Sequence, residues 1–433
     1  MNRSKIIVKN VSLGVIYKAI NLIIVFTTIP LLLNYLEREQ YGVWVTIFSI
    51  INIVFFVDAG IGNGLKTKLS EAVSLQDFNR ANTYISTAYI FIAVIATLLL
   101  IIGFVLILSI DLQKLLNTSL ENENLKTVFF TILVMVVISF VLSLFKSLYY
   151  ATQQASKVEL AMLIYQSIVL IGVFVLLQYF TRNLLFVALI YGGSNILVGV
   201  IFTILFFKKH PKIRLKTSSF EKKKVKDLMG LSLAFFGIQL CMIIIFTTDN
   251  LIISNLIGPK EVTTYDIVYK LFQVVITISV IAQDPFWALY TDAYQKKDFQ
   301  WIKSTLKRLN ILFLFFIGFV VLFYSVSEKI IFFWIQKELN IPNNLILFMS
   351  LFVLIRVYGI IYMNFLNSIG KVKVQFWLYL FGAFLNIPLS IYFIKQCNFG
   401  SSGVILGTVI SIISLSIILP IQSYNILKNT REK

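Results

Sequence analysis

Three cations, Lys18, Lys270 and Arg356, fall deep inside long apolar runs of the chain, whereas the other lysines and arginines stand outside those runs or, like Lys146, near an end of one. A charge placed in hydrocarbon costs about 2.5–3.5 kcal/mol on insertion scales, so one kept there points to a wet or protein-lined face, and to an anionic ligand or a buried partner. Arg356 lies mid-run, too deep to snorkel, and its planar fork suits bidentate contact with phosphate. At 100° per residue Asn367 lies about 20° from it around a helix and Asn364 about 80°, so both amides could share its ligand. The alternative is a buried pair with an acid such as Asp249. Asp266, Lys270, Gln273, Thr277 and Asp284 fall within about 60° of one another and form one polar stripe on an otherwise apolar helix. Its plainer reading is an i,i+4 pair of Asp266 with Lys270 and an interfacial Asp284. Lys18, about 10 Å inside its run by helical rise, reaches either a ligand or back to the nearer surface. Asp249 reads as an ion or proton site, a partner for Lys270, or a solvated helix end. Asp58, ahead of Gly60, Gly62 and Gly64, could serve a gate, although close helix packing uses the same glycines.

These side chains need membrane-spanning elements to position them. The 433 residues are 58% hydrophobic and 13% charged, with mean hydropathy +0.87, against about 25% charged in soluble domains. Twelve apolar runs each have the length that crosses a bilayer, about 17 residues or more. They lie at about Val11–Leu33, Tyr41–Gly64, Tyr84–Ser109, Val128–Ala151, Leu160–Phe180 and Leu184–Phe207 in the first half. Leu228–Leu256, Val262–Tyr290, Leu309–Ser325, Asn344–Ser368, Val374–Ile394 and Gly400–Leu427 follow in the second. The expected architecture is an all-α integral membrane protein with two six-helix lobes, residues 1–207 and 228–433, joined by a basic linker, 208–227. With the linker cytoplasmic, 27 of the 38 Lys and Arg residues fall on the cytoplasmic side and eight outside, the asymmetry that orients membrane proteins. Both termini are then cytoplasmic. The formal charge of +18 is thereby explained without nucleic acid.

The halves resemble each other. Glu71-Ala72 with Asp77-Phe78 recurs as Asp292-Ala293 with Asp298-Phe299, and Ser156-Lys157-Val158 as Gly370-Lys371-Val372. Duplication of six helices predicts lobes related by a pseudo-twofold axis along the membrane normal, with a substrate path between them. Enzyme chemistry is not expected. The sole histidine, His210, sits in the basic linker; Cys241 and Cys397 lie in different halves; no Gly-x4-Gly-Lys-Ser/Thr phosphate loop is present. No cofactor is implied.

Tyr41-Gly42, Asp58-Ala59-Gly60-Ile61-Gly62, the run Thr248-Asp249-Asn250 to Ile257-Gly258, and the turn Thr152-Gln153-Gln154-Ala155-Ser156-Lys157 resemble the polysaccharide-unit flippases, or O-antigen translocases. These belong to the multidrug/oligosaccharidyl-lipid/polysaccharide exporter superfamily. The resemblance covers nearly the whole chain. It implies export of an isoprenoid (undecaprenyl) diphosphate-linked oligosaccharide from the inner to the outer leaflet of a bacterial cytoplasmic membrane. Membrane lipids, a polysaccharide polymerase and a chain-length regulator are the partners implied. Lys18, Lys270, Gln273, Arg356, Asn364 and Asn367 would meet the substrate, and Asp58, Asp249 and Asp284 would serve ion coupling or gating. The rival is a cation-coupled multidrug extruder of the same superfamily, whose cationic substrates would want acidic walls.

Overall fold

The computed structural model describes residues 3–56, 60–216, 220–229, 233–283 and 286–429. Every regular element among them is helical. An N–H or C=O left unpaired in hydrocarbon costs several kcal/mol, and a helix pairs them within its own segment. Two compact units result, residues 1–236 and 237–433. The first holds α1 (Arg3–Asn52), α2 (Ile61–Ser74), α3 (Phe78–Ser109), α4 (Leu112–Leu116), α5 (Asn122–Leu142), α6 (Leu144–Ala151), α7 (Ala155–Tyr179), α8 (Leu184–Lys209) and α9 (Lys222–Met229). At the border α10 (Leu233–Leu256) leads into α11 (Pro259–Gln283), α12 (Phe286–Gln295), α13 (Phe299–Ile335), α14 (Asn343–Ser368), α15 (Lys373–Lys395) and α16 (Ser401–Asn429). In the first unit α1 packs along α7 and α5 against α3 and α8; in the second α14 is flanked by α11, α12, α13 and α16, with α15 on α16.

Ten helices among the described residues are long and apolar enough to cross a membrane. Their outer faces carry large apolar side chains, including Phe315, Phe384 and Phe333, the last 83% exposed. Water would reject such a surface, and lipid accepts it.

Several expected boundaries move. The first two expected helices run on as α1, interrupted only at Glu37 (φ 60, ψ 177). The second part stops at Asn52, passes through a four-residue 3-10 turn and restarts as α2 after left-handed Gly60 (φ 78). A single helix to Gly64 is therefore replaced by two, with Gly60 at positive φ standing at the start of the second. The expected Val262–Tyr290 helix is likewise α11 followed by α12. The expected Leu309–Ser325 helix extends over Phe299–Ile335, capped where Trp301 N–H donates to Asp298 Oδ1 at 3.0 Å.

The repeated sequence pairs turn out to be repeated turns. Asp77 N–H donates to Ala72 O (3.0 Å) and Gln76 N–H to Val73 O (3.1 Å); Asp298 N–H donates to Ala293 O (2.8 Å) and Lys297 N–H to Tyr294 O (3.1 Å). Gln76 and Lys297 are left-handed in both. Asp77 and Asp298 then cap α3 and α13. Left-handed residues also recur at Glu37 and Gly258, Asn117 and Gln336, and Gln153 and Gly370. The last pair corrects the second sequence match. Gln153 N–H donates to Tyr150 O and Gly370 N–H to Asn367 O, both at 3.1 Å, so Gly370 corresponds to Gln153, three residues before Ser156.

The basic stretch is held against the first unit. Backbone N–H groups of Arg214, Lys216 and Glu221 donate to Asn82 Oδ1 (2.7 Å), Ser86 Oγ (3.0 Å) and Thr87 Oγ1 (3.2 Å) of α3. Ile213 and Leu228 are buried. At its start Lys209 Nζ donates to Gln154 Oε1 (2.8 Å), and the Gln154 amide meets His210 Nε2 at 3.2 Å. Burial, and then the charge of Lys209, lower the His210 pKa below its ordinary 6.5, which keeps the ring neutral and able to accept from Gln154. The α9 backbone lies so close to α2 that a Cβ on Gly64 would overlap the Leu228 carbonyl oxygen and come within 2.8 Å of its carbon.

Gly64→Ala should therefore destabilise the first unit by about 1–3 kcal/mol and speed proteolysis within 208–229; Gly193→Ala, where a Cβ meets nothing within 4 Å, should leave both unchanged. The His210 pKa is lower folded than unfolded, so its contribution is complete above about 6.5 and is lost as pH falls through the folded value. Protection from hydrogen exchange over 208–216, corrected for the intrinsic pH dependence of amide exchange, should fall from pH 7.5 to pH 5, and this loss should disappear in His210→Ala.

Candidate functional site

In the second unit the deep arginine stands at the end of an aromatic chain. Arg356 on α14 donates from Nη1 to Tyr379 Oη on α15 at 2.8 Å, and its guanidinium lies 4.6 Å from the ring centroid of Phe246 on α10. Phe246 touches Phe352 (6.0 Å), Phe352 touches Tyr269 (6.1 Å), and Tyr269 stacks on Tyr265 (6.2 Å, 14°). Tyr379 Oη in turn donates to Met363 Sδ at 3.6 Å. Arg356 makes no ion pair among the described residues, so the buried pair with Asp249 is not formed. A guanidinium held by a phenol and a ring face keeps most of its charge for something else.

Asp249 is not a solvated helix end. It is 3% exposed. Tyr265 Oη donates to its Oδ2 at 2.6 Å, and Thr408 Oγ1 of α16 approaches the same oxygen at 3.5 Å while accepting from Asn386 Nδ2 of α15 at 3.0 Å. Asp249 Oδ1 and Asn386 Oδ1 are buried with no donor among the described residues. Nor is Asp249 the partner of Lys270, whose Nζ lies 2.6 Å from Asp266 Oδ2 one turn earlier. That pair is the plainer reading of the polar stripe. Gln273, next along the same helix, is partly exposed, and Thr277 spends its hydroxyl on the Gln273 carbonyl at 2.8 Å.

Asn364 and Asn367 share α14 with Arg356 but lie about 12 and 16 Å farther along it by helical rise. Asn364 Nδ2 reaches Gln283 O at 3.5 Å and Asn367 Oδ1 is buried without a donor among the described residues, so neither amide is shown beside the guanidinium. Lys18 belongs to the first unit, where Nζ lies 3.7 Å from Glu159 of α7. Asp58 and Asp284 lie outside the described residues.

Residues that the sequence reading passed over complete the cluster: Phe246, Tyr265, Tyr269, Phe352, Tyr379, Asn386 and Thr408. Tyr265 and Tyr269 stand at i,i+4 and could have been grouped. Nothing in the sequence pairs Asp249 with Thr408, 159 positions away.

The family profile described as polysaccharide biosynthesis protein matches residues 7–283. The chain belongs to the polysaccharide biosynthesis protein family. The MatE profile matches residues 235–392 of this family member. A protein of Yersinia pseudotuberculosis named for O-antigen export is 24% identical, covering 93% of this chain and 92% of its own. A Salmonella typhimurium protein named as an O-antigen transporter is 26% identical over 89% and 88%. Among solved structures, an inward-facing multidrug resistance MATE family transporter of the MOP superfamily superposes with a TM-score of 0.79 at 14% identity, covering 100% of both chains. A MOP superfamily transporter from Pyrococcus furiosus gives 0.71 at 14%, covering 100% and 98%. The polysaccharide family member thus has the helical two-lobed fold of that superfamily and is a multi-pass membrane protein.

Removing the Tyr265 hydroxyl leaves a second oxygen of a buried carboxyl group without a good donor, a loss of about 1–3 kcal/mol. Tyr265→Phe should lower thermal stability in detergent by that amount, and Tyr265→Phe combined with Asp249→Leu should lose clearly less than the sum of the two single variants.

Proposed function

We propose that this protein is a polysaccharide exporter that moves an isoprenoid diphosphate-linked oligosaccharide from the cytoplasmic to the outer leaflet by alternating access. The observation that carries the reading is Arg356: a guanidinium at the middle of an apolar helix, set on the face of Phe246 and hydrogen-bonded to the Tyr379 hydroxyl, with no carboxylate partner among the described residues. Such a group is a receptor for an anion. The family and the O-antigen relatives, at 24–26% identity over most of the chain, support the cargo class.

The substrate sets the physical problem. Its isoprenoid tail is at home in lipid, while a bare charged headgroup in hydrocarbon would cost tens of kcal/mol. A hydrated cationic path lowers that cost while the tail remains in the bilayer. Arg356 would hold the diphosphate, Lys270 would join it on exchanging Asp266 for substrate, and Lys18 would do likewise with Glu159. Gln273, Asn364 and Asn367, with the tyrosines, would meet sugars. Asp249, with one oxygen satisfied and the other orphaned, would bind the proton or cation that couples transport to a gradient, with Asp58 and Asp284 as further gating candidates. Twelve crossings follow if α1 counts as two at its Glu37 break and the polar α11 counts as one. Both termini, and the linker between lobes 1–207 and 228–433, would then be cytoplasmic in a bacterial inner membrane. Membrane lipids, a polymerase and a chain-length regulator would be the partners.

Multidrug extrusion is the second reading, favoured by the buried acid Asp249. The uncompensated positive charge of Arg356 disfavours a cationic cargo.

Arg356→Ala should abolish surface polysaccharide while the protein still inserts at normal abundance, with Arg356→Lys intermediate because it keeps charge without the fork. Deleting the gene should leave lipid-linked repeat units on the cytoplasmic leaflet. Normal surface polysaccharide in Arg356→Ala would remove that residue from the mechanism.

A further inference from the structure

We infer that the first unit carries a separate anion site, a pocket that takes a diphosphate group at the end of the helices carrying the basic loops. The pocket has a volume of about 300 Å³ and is lined by Asn63 and Lys66 of α2 and by Ser143, Lys146, Ser147 and Tyr150 at α6, among others. That volume is at the lower end of small-molecule sites. Lys66 and Asn63 stand at i,i+3, and Lys146 stands at i,i+3 and i,i+4 from Ser143 and Tyr150, so each helix turns one polar edge to the same space.

The charges are arranged for an anion. Lys66 Nζ lies 4.9 Å from the ring centroid of Tyr150, which holds one ammonium at the wall of the pocket. Lys146 is half-buried, and among the described residues its ammonium has neither a hydrogen bond nor an ion pair. The acid that acts on it electrostatically is Glu159, which is already within 3.7 Å of Lys18. Lys18 and Lys146 therefore share one described carboxylate. Apolar side chains such as Ile92 and Phe140 between the polar ones weaken screening locally and strengthen the pull on a multiply charged ligand. Two ammonium groups with hydroxyl and amide donors between them suit a diphosphate better than a single carboxylate. The isoprenoid source of that diphosphate rests on the export reading; the pocket itself does not.

The test uses the full chain, purified in a phosphate-free detergent, with inorganic pyrophosphate, farnesyl diphosphate and phosphatidylglycerol as probes. Both diphosphates should bind, more weakly as salt rises. Lys146→Met and Lys66→Gln should each weaken binding by about tenfold and the double variant more, whereas Lys146→Arg should retain it. Lys66 is exposed, so its variant reports even if Lys146→Met does not fold. Tighter binding of farnesyl diphosphate than of pyrophosphate supports the lipid-linked source, and the reverse order supports a site for free diphosphate. Unchanged affinity in the double variant, or phosphatidylglycerol displacing pyrophosphate at equal affinity, overturns the proposal. Binding that the variants lose, in a cell whose gene deletion leaves surface polysaccharide intact, would keep the pocket and remove the export reading. Unchanged binding in the double variant beside a deletion that blocks export would do the reverse.

Discussion

Hydrocarbon cannot solvate a charge or an unpaired peptide group, and the rest of this structure follows from how the chain meets that constraint. The membrane-spanning backbone among the described residues meets it by running as helices, so that an N–H finds a carbonyl within its own segment. The side chains meet it by turning phenylalanines and isoleucines outward and keeping few ionisable groups inside. Those few are each handled differently. Lys270 is matched to Asp266 and Lys18 to Glu159, and these pairs are local answers to a local cost. Arg356 is given aromatic surfaces and a phenol, which hold its position without cancelling its charge. Asp249 is half satisfied.

That difference separates groups that stabilise from groups available to a ligand. A buried ion pair offsets its own desolvation at best, so Lys270 can act on a substrate only by giving up its acid. Arg356 needs no such exchange. The aromatic chain from Phe246 through Phe352 and Tyr269 to Tyr265 connects it with the neighbourhood of Asp249. A cationic and an acidic side chain thus share one packed wall inside the second unit. Loading of one and protonation of the other would both bear on the same rings.

Duplication left its trace in backbone geometry more firmly than in side chains. Glu37 and Gly258, Gln76 and Lys297, Asn117 and Gln336, and Gln153 and Gly370 are all left-handed, yet only two of the eight are glycine. A turn between packed helices demands that conformation whatever residue fills it. This is why the Asp77 and Asp298 pairing was visible as sequence: both aspartates must cap the next helix. The Gly370 match was read three residues out of step because Lys-Val recurs by chance while the turn itself leaves no side-chain signature.

The sequence by itself determined the class of protein, the approximate position of the apolar runs and the three cations within them, because burial in lipid is a matter of composition over some twenty residues and each run is judged alone. It also marked Asp266 with Lys270, since i,i+4 spacing on a helix is local. Only the tertiary structure decided which charges were satisfied. The contacts of Asp249 with Tyr265 and Thr408, of Arg356 with Tyr379 and Phe246, and of Glu159 with Lys18 all join different helices, three of them more than a hundred positions apart. The same holds for the linker, which reads as a loose basic loop until Asn82, Ser86 and Thr87 are seen to accept its backbone N–H groups. Such pairings depend on how helix faces are rotated and packed, which no single run of residues specifies.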